Sequence, residues 1–142
     1  MLERITHIGI VVEDIAEAEK FWSERFGLKR YAELEVEVEG IRSIFLSVGG
    51  TPDEMSIELI EPYDKSDMSN AVARRLAQSG EGFYHLAAEV ADVAATSSEL
   101  KQNQVRVIDR PAIEPEDSAR WLVHPKDANG VMVEGLETGW RD

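Results

Sequence analysis

Along the chain, apolar residues occur first in a strand-like run and then at helical spacing, and this change happens twice. Residues 4–12 are mostly apolar and β-branched, which is typical of a buried strand. Asp14 follows as a good N-cap, and Gly27 predicts the C-terminal end of the helix. The apolar positions of this helix are Ile15, Ala18, Phe21, Trp22 and Phe26. We expect Trp22 and Phe26, which are four residues apart, to face the core.

Three further strands are predicted after this helix. They cover residues 29–39, 41–48 and 55–61, and glycine-containing turns at Gly40 and at 49–53 separate them. The first half of the chain therefore has the predicted order β-α-β-β-β.

A short connecting helix leads to a second set of similar elements. Ser69 or Asn70 would cap a helix over 71–78, and Asp92 would cap a longer helix that ends near Gln102. The predicted strands of the second half cover 83–90, 105–108, 119–123 and 131–136. The segment 113–121 has no clear pattern, whereas 126–130 reads as a turn.

The two halves also repeat their chemistry. His85 follows His7 by 78 positions, and Glu134 follows Glu58 by 76 positions. Each half thus has one His on an early strand and one Glu on a late strand. Two copies of a module related by a rough two-fold axis would bring these four side chains together. The repeat therefore predicts a metal site made by His7, Glu58, His85 and Glu134.

The chemistry of these four residues narrows the choice of metal. Without a cation, we expect the site to hold two buried carboxylates that lack partners, which is costly. The donors are nitrogen and oxygen, and the chain has no cysteine, so a tetrahedral structural zinc site fits poorly. A divalent cation with open positions for water or substrate is favoured, and cobalt, manganese, nickel and zinc all remain open.

Length and charge limit the number of domains and the kinds of partner. The 142 residues fit one domain, 1–142, with modules at about 1–62 and 82–142 and a connector at about 63–81. A net charge of −13 argues against nucleic acid and membrane surfaces as partners, since both attract Lys and Arg. No signal peptide or apolar span is visible, so we expect a cytoplasmic protein.

Several segments resemble one known family. The start, THIGIVVEDIAEAEKFWSERFGL, the middle, IELIEPYDKSDMSNAVARRLAQSGEGFYHLAAEV, and the end, VHPKDANGVMVEG, are similar to the vicinal oxygen chelate superfamily. Within it, they most resemble methylmalonyl-CoA epimerases. The resemblance implies an α+β fold in which two βαβββ modules form a cupped mixed sheet around a divalent metal, and pairing into a homodimer. It also implies that His7, Glu58, His85 and Glu134 are the metal ligands.

The function implied is a metal-dependent isomerase or epimerase that acts on a small-molecule substrate, an acyl-CoA. It would remove an α-proton and stabilise the resulting enolate at the metal, with Glu134 or Glu58 as the catalytic base. The position where some epimerases carry a second base is Ser43 here. The alternatives are a glyoxalase I-like lyase, a dioxygenase, and a non-enzymatic resistance-type protein that binds small molecules.

The remaining residues of interest are predicted to be structural, to be exposed to solvent, or to bind an anionic substrate. Glu61 and Glu137 also repeat, and we expect both to be solvated. We interpret His124, which precedes a proline at a strand end, as structural, and Trp121 as either core or pocket. An anionic substrate would need local cations, and the candidates are Arg74, Arg75, Arg120 and Lys126.

Overall fold

The computed structural model describes residues 1–112 and 119–137. These residues form eight strands and three α-helices, in the mixed α+β arrangement that the sequence predicts. The strands are β1 (Arg4–Val11), β2 (Lys29–Val36), β3 (Ile41–Ser47), β4 (Ser56–Pro62), β5 (Gly82–Glu89), β6 (Val107–Arg110), β7 (Arg120–Val123) and β8 (Met132–Leu136). The helices are α1 (Ile15–Phe26), α2 (Ala71–Ser79) and α3 (Val93–Gln102). None of the described helices is long and apolar enough to cross a membrane.

The chain divides into two compact units, and the division does not follow the two modules. One unit is Ile8–Tyr84, and the other joins Met1–His7 to His85–Asp142. The first half of β1 therefore belongs with the second part of the chain. The prediction that residues 1–142 form one domain is not tested by this division and stays a prediction.

In the unit Ile8–Tyr84, β3 pairs antiparallel with both β2 and β4. Two apolar clusters stabilise it, one containing Val72 and Leu76 of α2 and the other Ile15 of α1. The N-cap prediction is confirmed, since Asp14 accepts a hydrogen bond from the backbone N–H of Glu17. The helix ends at Gly27, whose φ of 73° is left-handed and suits glycine.

Two predictions for this unit are wrong in detail. Strand β2 ends at Val36 and not at 39, because Glu37–Glu39 form a 3-10 turn that Gly40 closes by donating to the Glu37 carbonyl. Phe26 does not face the core, because the residue is 60% exposed, and its ring contacts Phe21 and Trp22 of the same helix. Trp22 is half-buried against the α1 cluster, as expected.

In the other unit, β8 pairs parallel with β5 and antiparallel with β7, and β6 pairs antiparallel with β7. Trp121 is 1% exposed and lies in an apolar cluster with Val93 of α3, so it is a core residue. Its indole N–H donates to the Thr96 hydroxyl at 2.8 Å. Gly135 lies opposite Trp121, and a Cβ there would come within 2.1 Å of the indole ring. Glycine beside Glu134 is therefore required by packing.

The repeated carboxylates Glu61 and Glu137 are not merely solvated, which corrects the prediction. Glu61 Oε2 accepts a hydrogen bond from the Ile15 N–H, and Glu137 Oε1 accepts one from the Val93 N–H, each at 3.0 Å. Ile15 and Val93 are the first residues of α1 and α3. The first N–H groups of a helix lack partners within the helix, and a carboxylate there also complements the helix dipole. This part of the internal repeat is therefore structural.

We expect Glu61→Ala and Glu137→Ala each to lower the free energy of unfolding by about 1 kcal/mol, the usual cost of losing a helix cap. Urea denaturation of each variant measures this. Glu61→Gln and Glu137→Gln keep an oxygen acceptor and should lose less. Equal stability of the alanine variants and the parent would contradict the capping role.

Candidate metal centre

Three of the four predicted ligands come together in one compact unit. His7 is on β1, His85 on β5 and Glu134 on β8, and their ligand atoms all lie within 4.8 Å of one another. In the parallel β5–β8 pair, Glu134 is opposite Ala87. Residues two apart on a strand share a face, so His85 and Glu134 are on the same face of this sheet.

The two imidazoles converge through the same kind of atom. His7 Nε2 and His85 Nε2 are 3.2 Å apart, and the rings meet edge to face. Glu134 Oε1 is 3.9 Å from His7 Nε2. Both histidines are almost fully buried, at 1% and 5% exposure, and the Glu134 side chain is 15% exposed. Solvent therefore has little access to the two nitrogen atoms.

A threonine next to His7 contacts that imidazole. The Thr6 hydroxyl donates to the Ala87 carbonyl and lies 3.3 Å from His7 Nδ1. In the tautomer in which Nδ1–H donates to the Thr6 oxygen, the lone pair of His7 is on Nε2, the atom that lies 3.2 Å from His85 Nε2. A second partner that orients the ring in this way is typical of metal-binding histidines.

These donors fit a divalent cation. Two atoms bound to one ion at about 2.1 Å lie about 3 Å apart at a right angle, and about 4 Å apart when opposite. The two Nε2 atoms and Glu134 Oε1 have nearly these separations. Two imidazoles and a carboxylate are also a common donor set for divalent transition metals.

The argument that the site would leave carboxylates without partners is wrong. Arg120 Nε lies 3.3 Å from Glu134 Oε2, so this carboxylate has an ion-pair partner within the chain. The hydroxyl of Ser43 donates to Glu58 Oε2 at 2.6 Å. Support for a metal therefore comes from the converging nitrogen atoms and not from uncompensated charge. Nothing in the sequence pattern singled out Thr6 or these two pairings.

Glu58 lies in the unit Ile8–Tyr84, on β4 opposite Phe45. It is buried, at 9% exposure, and Ser43 beside it is 1% exposed. Among the described residues, the cluster of potential ligands consists of His7, His85 and Glu134. The role of Glu58 as the fourth ligand stays a prediction.

His124 has the structural role expected of it. Its Nδ1 accepts a hydrogen bond from the Lys126 N–H and caps the 3-10 turn Pro125–Asp127. Hydrogen bonds from Arg106 to Asp127 tie the same turn to the start of β6 and hold the pKa of Asp127 at about 2. The third histidine of the chain is therefore used for packing a turn.

The fold is that of a known superfamily. The chain belongs to the glyoxalase/bleomycin resistance protein/dioxygenase superfamily, whose family model matches residues 6–122. The superfamily predicted from the sequence is confirmed. Members of this superfamily bind divalent metals.

Several relatives within the superfamily are epimerases. The ethylmalonyl-CoA/methylmalonyl-CoA epimerase of Cereibacter sphaeroides is 28% identical over 137 residues, which cover 94% of this chain and 97% of that protein. The crystal structure of methylmalonyl-CoA epimerase from Mycobacterium tuberculosis is 30% identical, with a TM-score of 0.82, over 96% of this chain and 88% of that one. A variant of the Streptomyces coelicolor enzyme in complex with 2-nitronate-propionyl-CoA is 32% identical, with a TM-score of 0.85, over 98% and 96%.

Proposed function

We propose that this chain is a divalent-metal-dependent epimerase of an acyl-CoA thioester that carries a carboxylate on its α-carbon, of the methylmalonyl-CoA type. The observation that carries the proposal is the convergence of His7 Nε2 and His85 Nε2 beside Glu134, in a chain whose relatives are methylmalonyl-CoA epimerases. Epimerase function is supported by those relatives over nearly the whole chain. The convergence of two imidazoles and a carboxylate additionally supports dependence on a metal.

The proposed ligands are His7, His85 and Glu134, with Glu58 as the fourth. Cobalt, manganese, nickel and zinc all suit nitrogen and oxygen donors, and affinity order alone does not select among them. When bound, such an ion supplies Lewis-acid stabilisation of negative charge on substrate oxygens. Pairing into a homodimer stays a prediction.

The proposed proton-transfer groups are the carboxylates of Glu134 and Glu58. Glu134 lies nearest the two imidazoles, so its Oε1 can hold a proton close to the site. Ser43 stands where a second base would be expected, but a hydroxyl is a poor base near neutral pH. Its proton is directed at Glu58 Oε2, so Ser43 orients that carboxylate and Glu58 is the candidate for the second group.

Exchange of the substrate α-proton tests the proposal. Cobalt-loaded protein incubated with methylmalonyl-CoA in heavy water should incorporate deuterium at the α-carbon, which mass spectrometry or NMR detects. Protein treated with a chelator should lose this exchange, and added cobalt should restore it. Exchange that is unaffected by complete metal removal would contradict the metal dependence. No exchange, together with turnover of a glutathione hemithioacetal, would instead indicate a glyoxalase-type lyase.

A further inference from the structure

The hydroxyl of Thr6 lies between a proposed metal ligand and the backbone of a neighbouring strand. Thr6 is on β1, immediately before His7, and it is fully buried, at 0% exposure. Its Oγ1 is 3.3 Å from His7 Nδ1 and 3.3 Å from the Ala87 carbonyl oxygen. Because solvent does not reach this hydroxyl, its hydrogen bonds are made within the protein.

The carbonyl that Thr6 contacts belongs to a residue close to the other two ligands of the cluster. Ala87 is on β5, two residues after His85, and it is opposite Glu134 in the β5–β8 pair. Ala87 is also fully buried, at 0% exposure. A hydrogen bond from Thr6 to Ala87 therefore joins the strand of His7 to the strand that carries His85.

The position of the hydroxyl proton decides what Thr6 does for His7, and there are two arrangements. In the first, the hydroxyl donates to the Ala87 carbonyl and its oxygen accepts from His7 Nδ1–H. In the second, the hydroxyl donates to His7 Nδ1, and the contact with Ala87 then joins two acceptors without a hydrogen between them. The first arrangement makes two hydrogen bonds and the second makes one, so the first is favoured in a buried site.

The favoured arrangement fixes which nitrogen of His7 has a lone pair. A neutral imidazole carries one proton, and the hydrogen bond that one ring nitrogen makes sets the role of the other. With the proton on Nδ1, the lone pair is on Nε2, which lies 3.2 Å from His85 Nε2 and 3.9 Å from Glu134 Oε1. The opposite tautomer would place an N–H at this point, and an N–H has no lone pair for a metal ion.

We propose that Thr6 is a positioning residue that holds His7 in the Nδ1–H tautomer, with the Nε2 lone pair directed towards the other ligands. Threonine suits this role because branching at Cβ restricts χ1, so the direction of the hydroxyl is limited. The consequence for metal binding rests on the proposed function, in which His7 is a ligand. A partner that orients the other nitrogen of a ligand histidine typically contributes about 10- to 100-fold to metal affinity.

Nitrogen NMR of chelator-treated protein tests the tautomer directly. At a pH where the ring is neutral, long-range proton–nitrogen correlations separate a nitrogen that carries a proton from one that carries a lone pair. The His7 signals are those that are absent from His7→Gln protein. The parent should show a protonated Nδ1 and an unprotonated Nε2. Thr6→Val, which keeps the branched shape without the hydroxyl, should lose this preference, whereas Thr6→Ser should keep it.

Two results of this measurement would contradict the proposal. One is a parent protein whose His7 proton is on Nε2. The other is a Thr6→Val protein with the same His7 tautomer as the parent. Because the spectrum of the parent can contradict the proposal by itself, the test does not depend on the folding of Thr6→Val.

Calorimetric titration with cobalt measures what the tautomer contributes to metal binding. Thr6→Val should bind cobalt about 10- to 100-fold more weakly than the parent, and Thr6→Ser should recover most of this loss. Thr96→Val is the matched control, because Thr96 is also buried and its hydroxyl donates to the Asp92 carbonyl and accepts from the Trp121 indole N–H. Since Thr96 shares no partner with the ligands, its cobalt affinity should stay within about 2-fold of the parent. Equal weakening in the two valine variants would indicate a general loss of packing and overturn the positioning role.

The two measurements distinguish failure of this proposal from failure of the proposed function. If the parent binds cobalt and Thr6→Val binds it equally well, the positioning role is overturned and the metal-dependent function stands. If the parent does not bind cobalt, the metal dependence fails. The NMR comparison of the parent with Thr6→Val then still decides whether Thr6 sets the tautomer of His7.

Discussion

Replacing His85 with alanine is expected to lower the affinity of the protein for a divalent cation by at least about 100-fold. Loss of a residue that only orients a ligand costs about 10- to 100-fold, so loss of a ligand should cost no less. His85 Nε2 lies 3.2 Å from His7 Nε2, so the substitution removes one of the two nitrogen donors and leaves the other alone. Calorimetric titration with cobalt, and the metal content of purified protein, both measure the effect.

The chain supplies a matched control for this experiment. His124 is the histidine that caps the turn Pro125–Asp127, and His124→Ala removes the same side chain away from the cluster of ligands. It should leave the cobalt affinity within about 2-fold of the parent, with at most a small loss of stability, as for a lost cap. Equal cobalt binding by His85→Ala and His124→Ala would show that His85 is not a ligand.

The elements with strong local signals were predictable from the sequence. Asp14 and Asp92 cap α1 and α3 as expected, because an N-cap depends on one side chain and the next three residues. The ends of the strands were less predictable. The alternating segment before Gly40 continues the strand pattern, but the chain must reverse there, and the 3-10 turn at Glu37–Glu39 replaces the last strand residues.

The residues of a helix that are buried were harder to predict than the helix itself. Phe26 fits the helical spacing of an apolar face, yet it is the last residue of α1 and is 60% exposed. Helical spacing identifies the residues on one face of a helix, but it does not show how far along the helix other elements cover that face. Spacing along the chain does not contain that information.

The candidate ligands could be predicted from the internal repeat. The contacts that these ligands make with residues on neighbouring strands could not. His7, His85 and Glu134 were found because each stands at the same place in a repeated pattern. Arg120 approaches Glu134 only because β7 pairs with β8 in one particular register. A shift of one residue would move Arg120 to the opposite face. A match in the repeat does not by itself indicate a ligand, since Glu61 and Glu137 match as well as Glu58 and Glu134 but cap helices.

These two kinds of repeated glutamate allow a controlled test of catalysis. Glu134→Gln keeps the shape and one oxygen donor of the side chain but removes its ability to take a proton. If Glu134 is a proton-transfer group, the variant should exchange the α-proton of methylmalonyl-CoA about 10²–10⁴-fold more slowly than the parent. The rate of deuterium incorporation at saturating substrate measures this, with the cobalt content of each sample determined in parallel.

Glu137→Gln is the control for this last experiment, because it makes the same substitution three residues further along the chain. Glu137 caps α3 at the Val93 N–H, and glutamine keeps an oxygen acceptor there. Its exchange rate should therefore equal that of the parent. A Glu134→Gln protein that holds cobalt and still exchanges at the rate of Glu137→Gln would exclude Glu134 as the base. Glu58, oriented by the hydroxyl of Ser43, would then be the carboxylate to substitute next, since it is the other proposed proton-transfer group.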